Sequence, residues 1–186
     1  MPPRPTPLDP IGLRPPAGRY LLDSERTTVG FTARALGFPV RGRFSSVVGS
    51  IDIAEDPRQS QVTARVGTAS VQTGNAWRDT HITGADFLDA ADHPVLRFQS
   101  TRLHPADQGR WTIAGNLTIR GVTSPVTFEA RCLGWSSGGQ RLRVAATTTL
   151  DRADFGVRGY RLLIADAVVV TIQAEVTSVT VRKDPR

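Results

Sequence analysis

Hydrophobic and polar residues alternate with a period of two along most of this chain. In residues 141–150 the even-numbered positions hold Leu, Val, Ala, Thr and Leu, whereas the odd-numbered positions hold Arg, Arg, Ala, Thr and Thr. The same alternation predicts strands at residues 20–23, 28–34, 40–53, 61–71, 96–101 and 167–182. Strands with one polar face are typical of antiparallel sheets that have water on one side.

A hairpin is predicted within "GNLTIRGVTSPVTFEA", residues 115–130. Alternation runs through Leu117 and Ile119, breaks from Gly121 to Pro125, and resumes at Val126 and Phe128. This pattern indicates two strands joined by a short turn. A second irregularity, a bend near residues 45–46, is predicted inside the long segment 40–53.

One stretch departs from the β pattern. In "HITGADFLDAADHP", residues 81–94, Thr83 is followed three residues later by Asp86, as in a capping box. Phe87 and Leu88 then share a helical face with Ala91, and the proline at position 94 ends the segment. The pattern predicts a short helix between two strands.

Eight antiparallel strands with one helix are compatible with a β-sandwich or a closed barrel. The sequential, hairpin-rich order favours the barrel. Many inward positions hold small residues: Ala33, Gly49, Ala64, Val66, Gly115, Ala130, Cys132, Ala146 and Ala174. We therefore predict an all-β fold, an eight-stranded antiparallel barrel with one short helix and an apolar lumen.

Composition predicts one globular domain. The chain has 186 residues, of which 39% are hydrophobic and 22% charged. Seven of the 13 prolines precede residue 17, so residues 1–18 are interpreted as an irregular tail, 19–182 as the barrel and 183–186 as a short basic tail. The single cysteine and the lack of an apolar signal segment predict a cytoplasmic protein.

The net charge of +6 does not predict nucleic-acid binding. The N-terminal and C-terminal tails carry much of the excess, and the arginines of the body are scattered singly along strands. No helix has a basic face, and no basic–aromatic interleaving occurs. We expect no specific nucleic-acid partner and only weak peripheral contact with an anionic membrane surface.

Few residues point to catalysis. Asp79 and His81 stand two apart and could share a strand face as part of a metal site, but a structural hydrogen-bonded pair is favoured. Cys132 continues the inward series of its strand and is interpreted as a buried thiol rather than a nucleophile.

Two further groups also admit structural interpretations. Asp151 and Asp154 could form a carboxylate pair, but an ion pair with Arg152 that stabilises a turn is favoured. The three tryptophans are interpreted as rim or core aromatics, with ligand stacking a weaker alternative for the first of them: Trp77, Trp111 and Trp135.

Five phrases, occurring in this order, carry a resemblance to a known family. They are "YLLDSERTTVGFTAR", "VRGRFSSVVGSIDI", "TGNAWRDTHITGADFLDAADHPVLRF", "GNLTIRGVTSPVTF" and "RADFGV". Together they resemble the YceI-like family of polyisoprenoid-binding, lipocalin-like barrels. The resemblance implies an extended eight-stranded barrel whose apolar lumen holds an isoprenoid lipid, such as a polyprenyl phosphate or an isoprenoid quinone, without a cofactor. Many members are periplasmic, so the missing secretion signal is a departure from the common form.

Site residues follow from this expectation. The predicted lumen walls are Phe31, Phe44, Phe98, Leu117, Phe128, Leu142, Ala146 and Ile172. The predicted mouth consists of Trp77, Arg78 and His81. Two alternatives to lipid binding stay open: an enzyme acting on a lipophilic substrate through Arg78, Asp79 and His81, and a filled structural barrel that binds proteins. Assembly as a homodimer is also left open.

Overall fold

The structure is a computed structural model that describes residues 15–135, 140–160 and 162–179. It contains eleven strand segments and one α-helix, α1 (Ala76–Thr83). The strands are β1 (Gly18–Leu22), β2 (Thr28–Ala35), β3 (Phe38–Phe44), β4 (Val47–Ile53), β5 (Gln61–Gly67), β6 (Val71–Gln72), β7 (Val95–Pro105), β8 (Arg110–Ile119), β9 (Val122–Trp135), β10 (Arg141–Asp151) and β11 (Ala167–Ser178). No helix among the described residues is long and apolar enough to cross a membrane.

The eleven segments combine into eight long strands. Both β1 and β2 pair antiparallel with β11, each with a different part of it. Together they therefore form one long strand beside β11. In the same way β3 and β4 pair with β2 and β1, and the break between them at Ser45 and Ser46 is the predicted bend. Antiparallel pairing continues through β5, β7, β8, β9 and β10 to β11, which also pairs with β1. The predicted closed, eight-stranded antiparallel barrel is confirmed.

The predicted hairpin is formed by β8 and β9. Its turn consists of Arg120 and Gly121, whose φ angles are 52° and 74°. Two consecutive residues with positive φ match the tight turn that suits the twist of paired strands. The second strand already begins at Val122, and Pro125 pairs with Asn116 inside the ladder. The break in alternation therefore covers the turn and the first residues of β9.

The predicted position of the helix is wrong. The helix runs over Ala76–Thr83, and the side chain of Asn75 caps it by accepting a hydrogen bond from the Arg78 amide at 3.0 Å. Thr83 is the last helical residue, and its hydroxyl donates back to the carbonyl oxygen of Asp79. The helix ends at Gly84, and turns follow as far as residue 92.

The apolar core consists of three clusters. One cluster lies at the end of the barrel where the chain enters β1, and its buried members are Tyr20, Ile53, Leu142 and Val176. We call this end the closed end. The opposite end is covered by α1 with the turns after it and by residues 152–160 and 162–166. These residues belong to the connection from β10 to β11, and we call them the strap. Phe155 and Val157 of the strap pack there against Leu117, Ile119, Val126, Phe128 and Leu150. The third cluster consists of Phe44, Val47, Val66 and Val71.

The boundary of the predicted N-terminal tail falls close to the start of the barrel. Gly18 already belongs to β1, and the Tyr20 hydroxyl donates a hydrogen bond of 3.0 Å to the carbonyl oxygen of Pro16. Residues 1–14 and 180–186, which make up most of the two predicted tails, lie outside the described residues.

Candidate functional site

The middle of the barrel contains inward-facing apolar side chains that are only half-buried. On β10 and β11 these are Val144, Ala146, Val170, Ile172 and Ala174. A side chain on the inner face of a closed sheet is covered by other side chains when the interior is packed. Most of these side chains pack against the neighbouring clusters on one side, and all are partly exposed, which is the surface that a lumen between the clusters would offer.

Two glycines accommodate aromatic rings on the inner face. Phe31 pairs with Gly42 across β2 and β3, and a Cβ atom at Gly42 would collide with the Phe31 ring. Likewise, a Cβ atom at Gly115 would lie 2.6 Å from the ring of Phe98. Each ring lies back over a glycine on the neighbouring strand. The two glycines thus give the rings of Phe31 and Phe98 room to lie along the wall of the barrel.

The predicted wall residues fall into two groups. Phe31, Phe98, Ala146 and Ile172 are half-buried on the inner face, and the structure adds Val170, which sequence reasoning missed. The others are buried within the clusters that bound the lumen: Phe44, Leu117, Phe128 and Leu142. Aromatic contacts join the two groups, since the Phe31 and Phe44 ring centroids are 5.7 Å apart and those of Phe98 and Phe128 are 5.3 Å apart.

The predicted mouth residues lie on α1. Trp77 is exposed, and its ring centroid lies 3.9 Å from that of His81. The Nδ1 atom of His81 is 3.0 Å from the carbonyl oxygen of Trp77. Arg78 is half-buried on the same helix. The three residues therefore occupy the end of the barrel that the helix covers.

The predicted hydrogen-bonded pair of Asp79 and His81 is wrong, and the two residues do not share a strand face, because both lie on the helix and each bonds elsewhere. The Asp79 carboxylate accepts hydrogen bonds from the amide and the hydroxyl of Thr73, at 2.8 and 2.6 Å. These bonds tie the start of α1 to the end of β6. Among the described residues, no group of three or more His, Cys, Asp or Glu side chains could hold a metal ion.

A depression of about 530 Å³ lies beside α1 and was not predicted. It is lined by Arg41, Gly42, Arg43, Gln72, Thr73, Gly74 and Asp79. The short strand β6 pairs only with Arg43 and Phe44, so it leaves the rest of this edge of β3 uncovered. Gly42 belongs both to this depression and to the Phe31 wall. We call it the lateral opening, and it combines arginines with an apolar inner side.

Arg152 is buried beneath the strap. Its guanidinium donates hydrogen bonds to four carbonyl oxygens of the strap, those of Val157, Gly159, Ile164 and Ala165, at 2.7–3.2 Å. Its ionic partner is Asp166 at 3.4 Å. The predicted ion pair with Asp151 or Asp154 is therefore wrong. Asp151 instead caps a short 3-10 turn by accepting a bond from the Ala153 amide.

Cys132 faces inward beside the closed-end cluster. Burial raises the pKa of its thiol, and a backbone hydrogen bond at Gly134 opposes this in part. A raised pKa leaves less of the reactive thiolate at neutral pH.

Comparison with known sequences identifies a family. The sequence profile of the YceI-like domain matches residues 20–176. A UPF0312 protein of Azotobacter vinelandii is 38% identical over 149 residues, which cover 76% of this chain and 78% of that protein. A UPF0312 protein of Vibrio parahaemolyticus is 33% identical over 155 residues, covering 80% and 81% of the two chains.

Solved structures share the fold. BcnA of Burkholderia cenocepacia superposes with a TM-score of 0.76 at 20% identity, covering 83% of this chain and 98% of BcnA. A polyisoprenoid binding domain from Saccharophagus degradans, implicated in plant cell wall breakdown, gives a TM-score of 0.68 at 17% identity, with coverage of 86% and 98%. At these identities the likeness concerns the architecture of the barrel.

Proposed function

The chain belongs to the YceI-like family, and on this premise we propose that it binds the hydrocarbon chain of an isoprenoid lipid in its lumen. The observation that carries the proposal is the half-exposed, apolar inner face of β10 and β11 within a closed barrel. An apolar chain in this space removes that face from water and is itself removed from water. Such burial is favourable by about 0.8 kcal/mol per CH₂ group.

The shape of the interior supports a long, flexible ligand. The half-buried side chains extend over several residues along β10 and β11, from Val170 and Thr148 to Val144 and Ala174. They present methyl groups and ring faces with few hydrogen-bonding groups. A hydrocarbon chain needs no polar recognition along its length, so the length of the lumen and the groups at its mouth set specificity. The structural similarity to a polyisoprenoid binding domain agrees with this choice of ligand.

The lateral opening provides a place for the polar end of the lipid. Arg41 and Arg43 line it, and Gly42 connects it to the inner wall. Guanidinium groups suit a phosphate, and they also donate to quinone oxygens. In this arrangement the head group stays near solvent while the prenyl chain enters the barrel. The protein then carries or sequesters one lipid molecule.

Catalysis is not favoured by the geometry of the alternative site. The Asp79 carboxylate is engaged by Thr73, and His81 contacts the backbone of its own helix. Neither side chain is directed at the other in the way a base and its orienting partner are. We therefore propose binding and carriage rather than turnover.

Mass spectrometry of a denatured extract of the purified protein tests the proposal. We expect one isoprenoid lipid in stoichiometric amount, or uptake of ubiquinone-10 or undecaprenyl phosphate by delipidated protein from detergent. A protein that holds no lipid and takes up neither compound contradicts the proposal. Conversion of either compound to a product would favour the enzyme instead.

A further inference from the structure

Five large apolar side chains are exposed together at the strap end of the barrel. Leu162 is fully exposed at 100%, Phe38 at 74% and Leu36 at 70%, and Tyr160 and Leu163 are about half exposed. We call these five residues the apolar tip. They belong to two loops, the β2–β3 hairpin and the strap.

Backbone contacts join these two loops into one surface. The Leu36 amide donates to the carbonyl oxygen of Leu163 at 2.7 Å, and the Ala165 amide donates to that of Arg34 at 2.9 Å. Ala35 and Ile164 form a β-bridge between the same segments. Arg152 holds the strap from beneath through its bonds to the strap carbonyls. The exposed side chains are therefore carried by two loops that are hydrogen-bonded to each other.

Two tip residues occupy backbone positions that do not suit them. Leu36 has a φ of 51° and Tyr160 a φ of 49°. Left-handed backbone conformations favour Gly or Asn, and a bulky residue there is unusual. Leu36 is also largely exposed, so its side chain contributes little to packing within the fold. A large apolar residue at a strained, exposed position indicates that its contacts lie outside the chain.

Charge identifies the kind of partner. Residues 27–51, 155–160 and 162–165, which contain both tip loops, carry four arginines and no carboxylate: Arg34, Arg41, Arg43 and Arg158. Apolar side chains on two loops that carry arginines and no carboxylate fit the interface of an anionic bilayer, where apolar groups enter the acyl boundary and cations meet phosphates. A protein partner would need an apolar pocket surrounded by acidic side chains.

We propose that the strap end docks on an anionic lipid bilayer, with the apolar tip inserted at the head-group boundary and the surrounding arginines on lipid phosphates. Arg41 and Arg43 belong to the basic rim and also line the lateral opening. Docking in this orientation brings the opening to the membrane surface, where an isoprenoid lipid can be exchanged. The purpose of docking rests on the proposed function, but docking itself can be tested separately.

Vesicle sedimentation tests the docking face. We expect the protein to bind vesicles of equal parts phosphatidylglycerol and phosphatidylcholine, and to bind pure phosphatidylcholine weakly. Leu36→Ser/Leu162→Ser/Leu163→Ser should weaken binding about tenfold or more, since exposed leucines contribute by insertion. Arg34→Gln/Arg158→Gln should weaken it by about thirtyfold, given the usual contribution of each cation at such a surface.

Exposed arginines of β9 and β10 supply a matched charge control. Arg131→Gln/Arg143→Gln removes the same two charges outside the two tip loops and should leave binding nearly unchanged. If this control loses as much affinity as Arg34→Gln/Arg158→Gln, binding is a property of net charge and the proposal is wrong. Wild-type protein that fails to bind the anionic vesicles also overturns it.

Labelled cysteines test the orientation. In a Cys132→Ser background, an environment-sensitive dye at Leu162→Cys should gain emission on anionic vesicles, whereas the same dye at Leu133→Cys should not. Leu133 is an exposed residue near the closed end of β9, so it serves as the matched position. Equal changes at both positions, or none at Leu162→Cys, contradict the orientation.

Light scattering tests a second occupant of the tip. A dimer that Leu162→Ser abolishes would make the tip a surface for a second copy of this chain and would overturn membrane docking.

A loading experiment separates docking from ligand binding. Delipidated Leu36→Ser/Leu162→Ser/Leu163→Ser should take up ubiquinone-10 from detergent as wild type does, but more slowly from anionic vesicles. Equal rates from vesicles contradict a role of docking in exchange. If wild type takes up no isoprenoid from either source, the proposed ligand is wrong, while sedimentation still decides whether the tip docks.

Discussion

The two ends of the barrel are held together by different kinds of interaction. At the closed end, Tyr20, Leu142 and Val176 are almost fully buried in an apolar cluster drawn from four strands with Ile53. At the strap end, the connection from β10 to β11 is held by the buried guanidinium of Arg152. The closed end is held by side-chain packing, whereas the strap end combines the packing of Phe155 and Val157 with a connection that is tied down through its backbone carbonyls.

This difference decides where the molecule can interact with its surroundings. A packed apolar end uses its large side chains for its own stability, so none of these remains for a partner. The hydrogen bonds from Arg152 to the strap carbonyls, which we call the clasp, hold the strap through main-chain atoms. They leave the side chains of the strap free to face outward. The strap can therefore expose Leu162 and Leu163 without losing order. This agrees with the proposal that a lipid is exchanged at the strap end.

The largest expected effect is that of removing the clasp. Arg152→Met leaves four strap carbonyls without their side-chain donor, at a cost of about 3–5 kcal/mol. At this chain length the thermal midpoint should fall by roughly 6–20 °C. Differential scanning calorimetry measures this. Arg158→Gln, on the exposed surface of the same strap, is the control and should change stability by less than about 0.5 kcal/mol. A clasp variant that matches its control would mean that the strap is held by its apolar residues alone.

Next in size is a pair of matched truncations. Leu142→Ala removes a packed side chain at the closed end and should cost about 2–5 kcal/mol. Ile172→Ala removes a half-buried side chain from the proposed lumen wall and should cost only about 1–2 kcal/mol, because the part of this side chain that is exposed loses no packed contacts. Urea unfolding of delipidated protein measures both. Equal costs would contradict the contrast between a packed end and a hollow middle.

A smaller effect on stability, with a larger effect on binding, is expected for Ala146→Phe. In a packed core the added ring would cost about 1–3 kcal/mol through strain. In the lumen it should cost less than about 1 kcal/mol and weaken binding of ubiquinone-10 about tenfold, because it occupies ligand space. Ala145→Phe places the same ring on the outer face of the same strand and should leave binding unchanged. Loss of stability in Ala146→Phe alone would show that this part of the interior is filled.

Most of the fold could be predicted because its signal is repeated on every strand. The hairpin around Arg120 and Gly121 is an example. Apolar and polar residues alternate in both of its strands, and this pattern restricts how the two strands can pair, so only the exact turn residues remained uncertain. The same holds for the bend at Ser45 and Ser46. The family resemblance is also confirmed, since it depended on ordered phrases rather than on any single motif.

The helix was misplaced because two capping signals lie close together. Thr83 with Asp86 fits a capping box, but Asn75 with the Asp79–Thr73 bonds fixes an earlier start. Only the folded position of β6, which brings Thr73 next to α1, decides between them. A local pattern does not contain that information.

The site was only partly predictable, because it depends on contacts between distant segments. Asp166 lies across the strap from Arg152, and no spacing rule pairs them. The lateral opening exists because β6 covers only two residues of β3, a matter of strand length rather than residue type. Gly42 and Gly115 did carry a signal, since glycine inside an alternating strand often marks a close approach, but the ring that covers each could not be named.

The smallest expected effect concerns the reactivity of Cys132 at the closed end. Because burial raises the pKa of its thiol, less thiolate is present at any pH below that pKa than in an unfolded chain, and alkylation should be slower. The rate of iodoacetamide labelling should rise with pH to a midpoint above the ordinary thiol value, and unfolding in urea should shift the midpoint back. In the Cys132→Ser/Leu162→Cys variant the only thiol lies at the exposed tip and should react about tenfold faster at neutral pH, with an ordinary midpoint. A native Cys132 that labels as fast as this tip cysteine would mean that the closed end opens readily to solvent, and the contrast between the two ends would then fail.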